Sequence, residues 1–216
     1  MKLLLLGAGG HAKAVIEVAR ALNAEIAGLV AEAPVGTRVM DVAVIGADGD
    51  LARLRADGIE AAFVAVGDNA VRQRLARQLR ALGFAVPTIV HPSAVISPSA
   101  AIGDGVVVMP LAFVGAESQI GEAAILNSAA IVEHDGRIAS AAHIAPGAVL
   151  AGDVVVGERT LVGVGAVVRP GVRIGADAVI GAGAAVVADV AAGARVAGTP
   201  ARRLPLRAIP SQSRNR

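Results

Sequence analysis

The chain has 216 residues, no cysteine, three phenylalanines as its only aromatic side chains, and 55% hydrophobic residues against a formal net charge of +2. That length allows one large domain or two small ones, and the missing cysteines exclude disulfides, thiol nucleophiles and thiolate metal sites together. With Phe63, Phe84 and Phe113 alone to stack on bases, a nucleic-acid surface is excluded too.

Mean hydropathy is high, +0.64, yet no stretch of about 20 apolar residues avoids Pro, Gly or charge, so no membrane helix is expected. The apolar start ends at Gly7, too early for a signal-peptide core. It reads as a buried first strand, Lys2 to Leu6, of a cytoplasmic protein.

The turn Gly7-x-Gly9-x-x-Ala12 follows that strand and precedes an amphipathic helix, Ala14 to Leu22. Glycines there let a phosphate approach the backbone, and the free N–H groups of a helix start hold its charge. Glu25 to Val30 and Val42 to Ile45 read as further strands, and Asp48 to Asp57 as a helix with Asp48 as N-cap. Ala61 to Val66 is another buried strand. Gly67-Asp68-Asn69 then opens a helix over Ala70 to Leu82, with Arg72, Arg74, Arg77 and Arg80 expected on its outer face. Alternating strands and helices mean a small parallel α/β sheet. Under ninety residues hold about one mononucleotide half, so a mononucleotide or nucleotide-sugar fits better than NAD.

Near Val86-Pro87 the period changes to six. Every sixth residue from Val90 to Val186 is aliphatic, and the residue four further on is small or β-branched throughout. A hexapeptide period marks a parallel β-helix: the branched residue points inward onto its equivalents in neighbouring coils, and the small one fits the corner. At eighteen residues per triangular coil, Val90 to Ala197 makes six coils. The expected domains are therefore 1–88, 89–200 and a basic tail, 201–216.

Of the four histidines, His11 lies in the phosphate-type loop, and His91 at the entry to the repeat reads as structural. His134 and His143 fall outside the inward register, so the core does not explain them. His134 is followed by Asp135, and a carboxylate beside an imidazole fixes its tautomer and leaves the other nitrogen to take a proton. His143 lies nine residues on, half a coil, so the two belong to different faces. A site using both in contact favours an interface between subunits.

Leu5-Leu6-Gly7-Ala8-Gly9-Gly10-His11-Ala12-Lys13, Val66-Gly67-Asp68-Asn69, Leu126 to Asp135, His143 and Val196 to Arg202 together resemble the sialic acid O-acetyltransferase and bacillosamine-type sugar N-acetyltransferase family. The resemblance implies a Rossmann-like domain joined to a left-handed β-helix, a homotrimer, and acetyl transfer from acetyl-CoA to a sugar amine or hydroxyl in surface-glycan biosynthesis. It implies His134 as general base, Asp135 as its orienting carboxylate, His143 on the thioester carbonyl and Asn127 in the same pocket. Acetyl-CoA would lie between two β-helices near the backbone of Gly152 and Ala182, with Arg202 and Arg203 on its phosphates. Gly9, Gly10, His11 and Lys13 would hold the acceptor's nucleotide or phosphates.

Family members that bind a UDP-sugar often carry an acidic pair after the second strand, where this chain has Ala31-Glu32. Glu32 remains a candidate for a ribose hydroxyl. The amine acceptor is the leading expectation, with sialic acid O-acetylation and a non-catalytic nucleotide-binding trimer as alternatives. A zinc site of the carbonic anhydrase type needs three converging histidines, and His91 lies forty-three residues before His134, so no metal is expected.

Overall fold

The computed structural model describes residues 2–204; Arg207, Arg214 and Arg216 of the expected basic tail lie outside the described residues. Leu3 to Leu6 are all buried in strand β1 (Lys2–Leu6). A strand apolar on both sides of its pleat belongs at the centre of a sheet covered on both faces. β1 does lie between β2 (Glu25–Val30) and β5 (Ala61–Val64), parallel to both. With β3 (Arg38–Val39) and β4 (Val42–Gly46) the order is β3-β4-β2-β1-β5.

Helix α1 spans Gly10–Ala21, α2 Leu51–Ala56 and α3 Asn69–Ala81. α1 begins four residues ahead of the expected Ala14, because the loop after the second glycine is already its first turn and Ala12 is buried in it. Asp48 does not cap a helix. It opens a short 3₁₀ turn in which Asp50 accepts from the Ala47 N–H at 2.9 Å. The β3–β4 hairpin was not expected, since two residues are too few to show an alternation. Gly7 is required by the fold: it sits at φ +121°, and an added Cβ would lie 2.7 Å from the Ala65 carbonyl oxygen.

From Ile89–Val90 to Ala185–Val186 the chain makes seventeen two-residue strands, one every six residues. They stack in parallel with an eighteen-residue register, as in Phe113↔Ile131↔Val149, onto three faces of a left-handed β-helix. The second residue of each strand is the repeating aliphatic, and from Val108 onward all of these are buried in one continuous core. The small corner positions join the same core. Two of them are Ser118 and Thr160, which stay satisfied at 0% exposure. Each hydroxyl donates to a carbonyl of the next coil (Glu133 at 2.8 Å, Gly175 at 2.7 Å) and accepts from a backbone N–H.

The first face carries Ile89, Val107, Ile125, His143, Leu161 and Val179 outward. Ile89, Val107 and Ile125 pack into the α/β core around Leu3, Val15 and Phe63. Docking of the two domains also corrects one expectation. Arg72 is not on an outer face of α3 but 1% exposed, between the sheet and the β-helix. Arg74 and Arg77 are exposed, and Arg80 pairs with Glu122 of the β-helix at 2.6 Å.

Candidate active site

β1 sits where the strand order reverses, with β2 on one side and β5 on the other. Loops leaving the carboxyl ends of β1 and β5 therefore part there, the place where open α/β sheets bind ligands. The loop and first turn after β1 hold Gly9, Gly10, His11 and Lys13; the loop after β5 holds Gly67-Asp68-Asn69. The two touch, since a Cβ on Gly67 would lie 3.8 Å from that of His11. Gly9 and Gly10 are exposed, and an added Cβ at either meets no atom within 4 Å. Packing does not demand glycine at these two positions, and they leave the start of α1 open to a ligand. Lys13, in the first turn of α1, and Glu32, in the bend after β2, are both exposed.

Behind this crevice the two domains are held by Arg72. All five of its N–H groups donate: Nε to Ala123 O at 2.7 Å, Nη1 to Val66 O and Gly67 O at 3.1 and 3.0 Å, Nη2 to Asn69 Oδ1 and Ala141 O at 2.7 and 2.8 Å. No carboxylate bonds to it. Burial lowers its pKa to about 10, and Asp68 partly offsets this, so the charge is present at neutral pH. Asn69 carries the link onward, donating to Arg159 O at 2.7 Å. The Arg159 guanidinium forks onto Asp177 at 2.7 Å for both bonds and also reaches Gln73 and Glu158. That fork holds the Asp177 carboxyl below its ordinary value. Between these groups lies a cavity of about 290 Å³ lined by Gly67 to Ala70, His143, Arg159, Leu161, Asp177 and Val179.

His11 and His143 meet here, from the α/β domain and the β-helix, with ring centroids 6.4 Å apart. Burial, then the charge of Arg72, lowers His11 to about 4. The same two causes, followed by His11 itself, lower His143 to about 3. Both rings are neutral at physiological pH, and the Nε2 of His11 is buried with no partner among the described residues. Asn127 Nδ2 lies 3.0 Å from His143 Nε2.

These depressed values set a pH dependence of stability. Unfolded histidines titrate near 6.5, so below that pH the unfolded chain binds more protons and stability falls as the pH drops toward about 4. For His11 alone the full effect is of order 3 kcal/mol. Thermal melts at pH 7 and at pH 4.5 are expected to show a clear loss of stability at the lower pH, reduced in His143→Gln. An equal melting temperature at both would sink this account. Asp177 acts in a separate, lower window, below the ordinary carboxylate value.

His134 is elsewhere in the subunit, on the edge between the second and third faces, in the corner after the strand Ile131–Val132. Its side chain is exposed, and Nδ1 lies 2.8 Å from Asp135 Oδ2. Asp135 occupies the left-handed corner position, φ 60°, which Asp tolerates better than most residues. The Asp135 hydrogen bond, then the charges of Asp135, Glu133 and Asp153, hold the imidazole above its ordinary pKa.

One coil further on, Gly152 lies against the ring: a Cβ there would be 2.4 Å from both Cε1 and Nε2. Its N–H has no acceptor among the described residues. Only glycine lets the ring keep this position. Gly152→Ala is expected to leave the fold intact, because the exposed ring can swing away, and to lower turnover about 100-fold through that displacement. Wild-type turnover in a folded Gly152→Ala enzyme would refute the role.

Ala182 is exposed on a different edge, between the first and second faces. Arg202 and Arg203 form a short strand antiparallel to Arg195–Ala197. They border a cavity of about 280 Å³ at the carboxyl end of the β-helix, with Val186 to Ala191. His91 lies in a turn where Nδ1 accepts from the Ser93 N–H at 3.1 Å. The structure thus brings His11, His143 and Asn127 together and places His134, Asp135 and Gly152 on another edge. Arg72, Asn69 and Arg159 were missed as parts of the site. In the sequence, Arg72 is one of four arginines on a helix, with nothing to distinguish it.

Residues 2–79 match the PglD N-terminal domain, and residues 153–188 match the bacterial transferase hexapeptide (six repeats). A mutant of perosamine N-acetyltransferase from Caulobacter crescentus, solved with CoA and GDP-perosamine, superposes with a TM-score of 0.92 at 45% identity, over 95% of this chain and 97% of that one. The chain belongs to the bacillosamine-type nucleotide-sugar N-acetyltransferase family. The acetyltransferase domain of PglB from Neisseria gonorrhoeae FA1090, in complex with acetyl coenzyme A, superposes with a TM-score of 0.88 at 40% identity over 94% and 98% of the two chains. A curated family member, UDP-N-acetylbacillosamine N-acetyltransferase of Bacillus subtilis (strain 168), is 47% identical over 47 residues, so the match spans only 22% of its length. Among the described residues no helix is long and apolar enough to cross a membrane.

Proposed function

We propose that the protein transfers the acetyl group of acetyl-CoA to the amine of a nucleotide-linked 4-amino sugar in the cytoplasm, with His134 as general base. The observation that carries this reading is the His134–Asp135 pair. With the Nδ1 proton hydrogen-bonded to Asp135, the Nε2 lone pair is free, and the ring packs against Gly152, whose N–H has no acceptor among the described residues. The neutral amine attacks the thioester carbonyl carbon and gives its proton to Nε2. The N–H of Gly152 is the donor at hand for the oxyanion. Collapse then breaks the carbon–sulfur bond, and the proton leaves with CoA.

The crevice of Gly9, Gly10 and His11 suits the nucleotide, with Glu32 on the ribose side, and Arg202 and Arg203 supply charge for the CoA phosphates. His134 and His143 lie on opposite parts of the prism, so one subunit does not join acceptor crevice and base. The second face offers the missing contact. Its outward residues Val95, Phe113, Ile131, Val149, Val167 and Ala185 carry no charge, and Val95 and Val167 are 59% and 48% exposed. Covering this apolar stripe with another copy gives a homotrimer in which His134 of one subunit serves the crevice of the next.

The test is CoA release from acetyl-CoA with UDP-, dTDP- and GDP-linked amino sugars and with free sialic acids, on enzyme whose mass in solution is measured by light scattering. Release with a nucleotide-linked amino sugar from a trimer supports the reading. Release with sialic acids alone transfers it to O-acetylation. A folded protein that releases CoA with none of them overturns it.

A further inference from the structure

Asn127 and His143 belong to successive coils on the first face, and their contact is more specific than a shared pocket requires. The side-chain carbonyl of Asn127 accepts from the Ser128 N–H at 2.8 Å. Turning the amide over would set its NH₂ against that N–H, donor to donor, so Nδ2 is the atom that faces His143 at 3.0 Å. An amide nitrogen only donates. The Nε2 of His143 must therefore accept, and a neutral ring that accepts at Nε2 carries its proton on Nδ1. Arg72 and His11 are the titratable groups that act on the ring, and with burial they keep it uncharged. His143 also lines the cavity beside Gly67 to Ala70.

We propose that Asn127 is a positioning residue that locks His143 in its Nδ1–H tautomer, so that this imidazole serves as a hydrogen-bond donor to an oxygen of a bound substrate and never as a proton acceptor. The donor role rests on the acetyl-transfer reading; the lock does not. The two histidines outside the inward register then divide the work. His134, hydrogen-bonded to a carboxylate, takes a proton, whereas His143, hydrogen-bonded to an amide, gives a hydrogen bond. An oxygen acceptor fits it: a sugar hydroxyl, a phosphate oxygen or the acetyl carbonyl.

The experiment is two-bond ¹H–¹⁵N correlation of the histidine rings in the full-length protein, with His143 assigned by its loss in His143→Gln. The expected result is a protonated nitrogen at Nδ1 and an unprotonated one at Nε2, unchanged across about pH 5.5–8, where an ordinary imidazole titrates. A proton on Nε2, or averaging between tautomers, would overturn the lock.

Asn127→Asp replaces the donor by an acceptor and is expected to move the proton to Nε2; Asn127→Leu, which offers neither, is expected to give a tautomer mixture. In Asn127→Asp kcat/KM is expected to fall about 10- to 100-fold, and in Asn127→Leu only about a few-fold, by the lost fraction of the donor tautomer, while in both the pH-rate limb, set by His134, keeps its midpoint. Unchanged kcat/KM with the proton moved, or a shifted midpoint, would overturn the donor role. If no acceptor supports transfer in the wild type, the functional reading fails alone, and the wild-type spectrum still decides the lock.

Discussion

His134→Ala is expected to lower the rate of acetyl transfer by about 10²–10⁴-fold, the range for loss of a positioned general base. The geometry gives the reason. The Asp135 carboxylate is 2.8 Å from Nδ1 and accepts a hydrogen bond from its N–H, so the basic lone pair is on Nε2, on the side of the ring that lies against Gly152. Asp135, Glu133 and Asp153 stabilise the imidazolium that forms. They also raise the pH at which the base is free. The sign follows: the base is active when neutral, so kcat/KM is expected to rise with pH through a midpoint above the ordinary histidine value.

Asp135→Asn removes the largest of these effects. It is expected to move that midpoint to lower pH while lowering the plateau, because the product imidazolium loses its support. His134 is exposed and outside the core, so both variants should melt like the wild type. Stopped-assay pH profiles beside thermal melts check all of this. Full activity in His134→Ala would reject His134 as base and leave the fold untouched.

Arg72→Met is expected to uncouple the two domains, with a loss of about 3–5 kcal/mol, because several buried acceptors lose their donors at once. Methionine fills much of the volume but donates nothing. The carbonyls of Val66, Gly67, Ala123 and Ala141 would be left short of donors in the buried interface, each at about 1–3 kcal/mol. Two of those carbonyls belong to the β-helix and two to the loop that lines the crevice, so the damage falls on the contact between domains. Hydrogen exchange should rise in Asn69–Ala81 and the preceding loop, while the β-helix strands stay protected. Arg72→Lys is expected to rescue only part, since an ammonium cannot reproduce five fixed donors. Stability and exchange equal to the wild type in Arg72→Met would show that the guanidinium does not hold the interface.

The hexapeptide register was legible because one physical rule repeats seventeen times. A residue pointing into a narrow prism must be aliphatic, and a corner residue must be small, so two periodic columns define the coils, their number and the inward side. The same rule isolated His134 and His143, which the core does not explain. The β-α alternation before Pro87 was legible from its buried runs and glycine turns.

What the tertiary structure decided are contacts that no sequence period encodes. Arg72 looked like its neighbours Arg74 and Arg77 because a helix face becomes buried only when another domain docks on it. Gly152 was a position near the donor until the eighteen-residue stack put it under the His134 ring. His11 and His143 are 132 positions apart, and their rings come within 6.4 Å only because the first face of the β-helix covers the sheet. Periodicity fixes which way a side chain points within its own element, whereas docking fixes what it meets there.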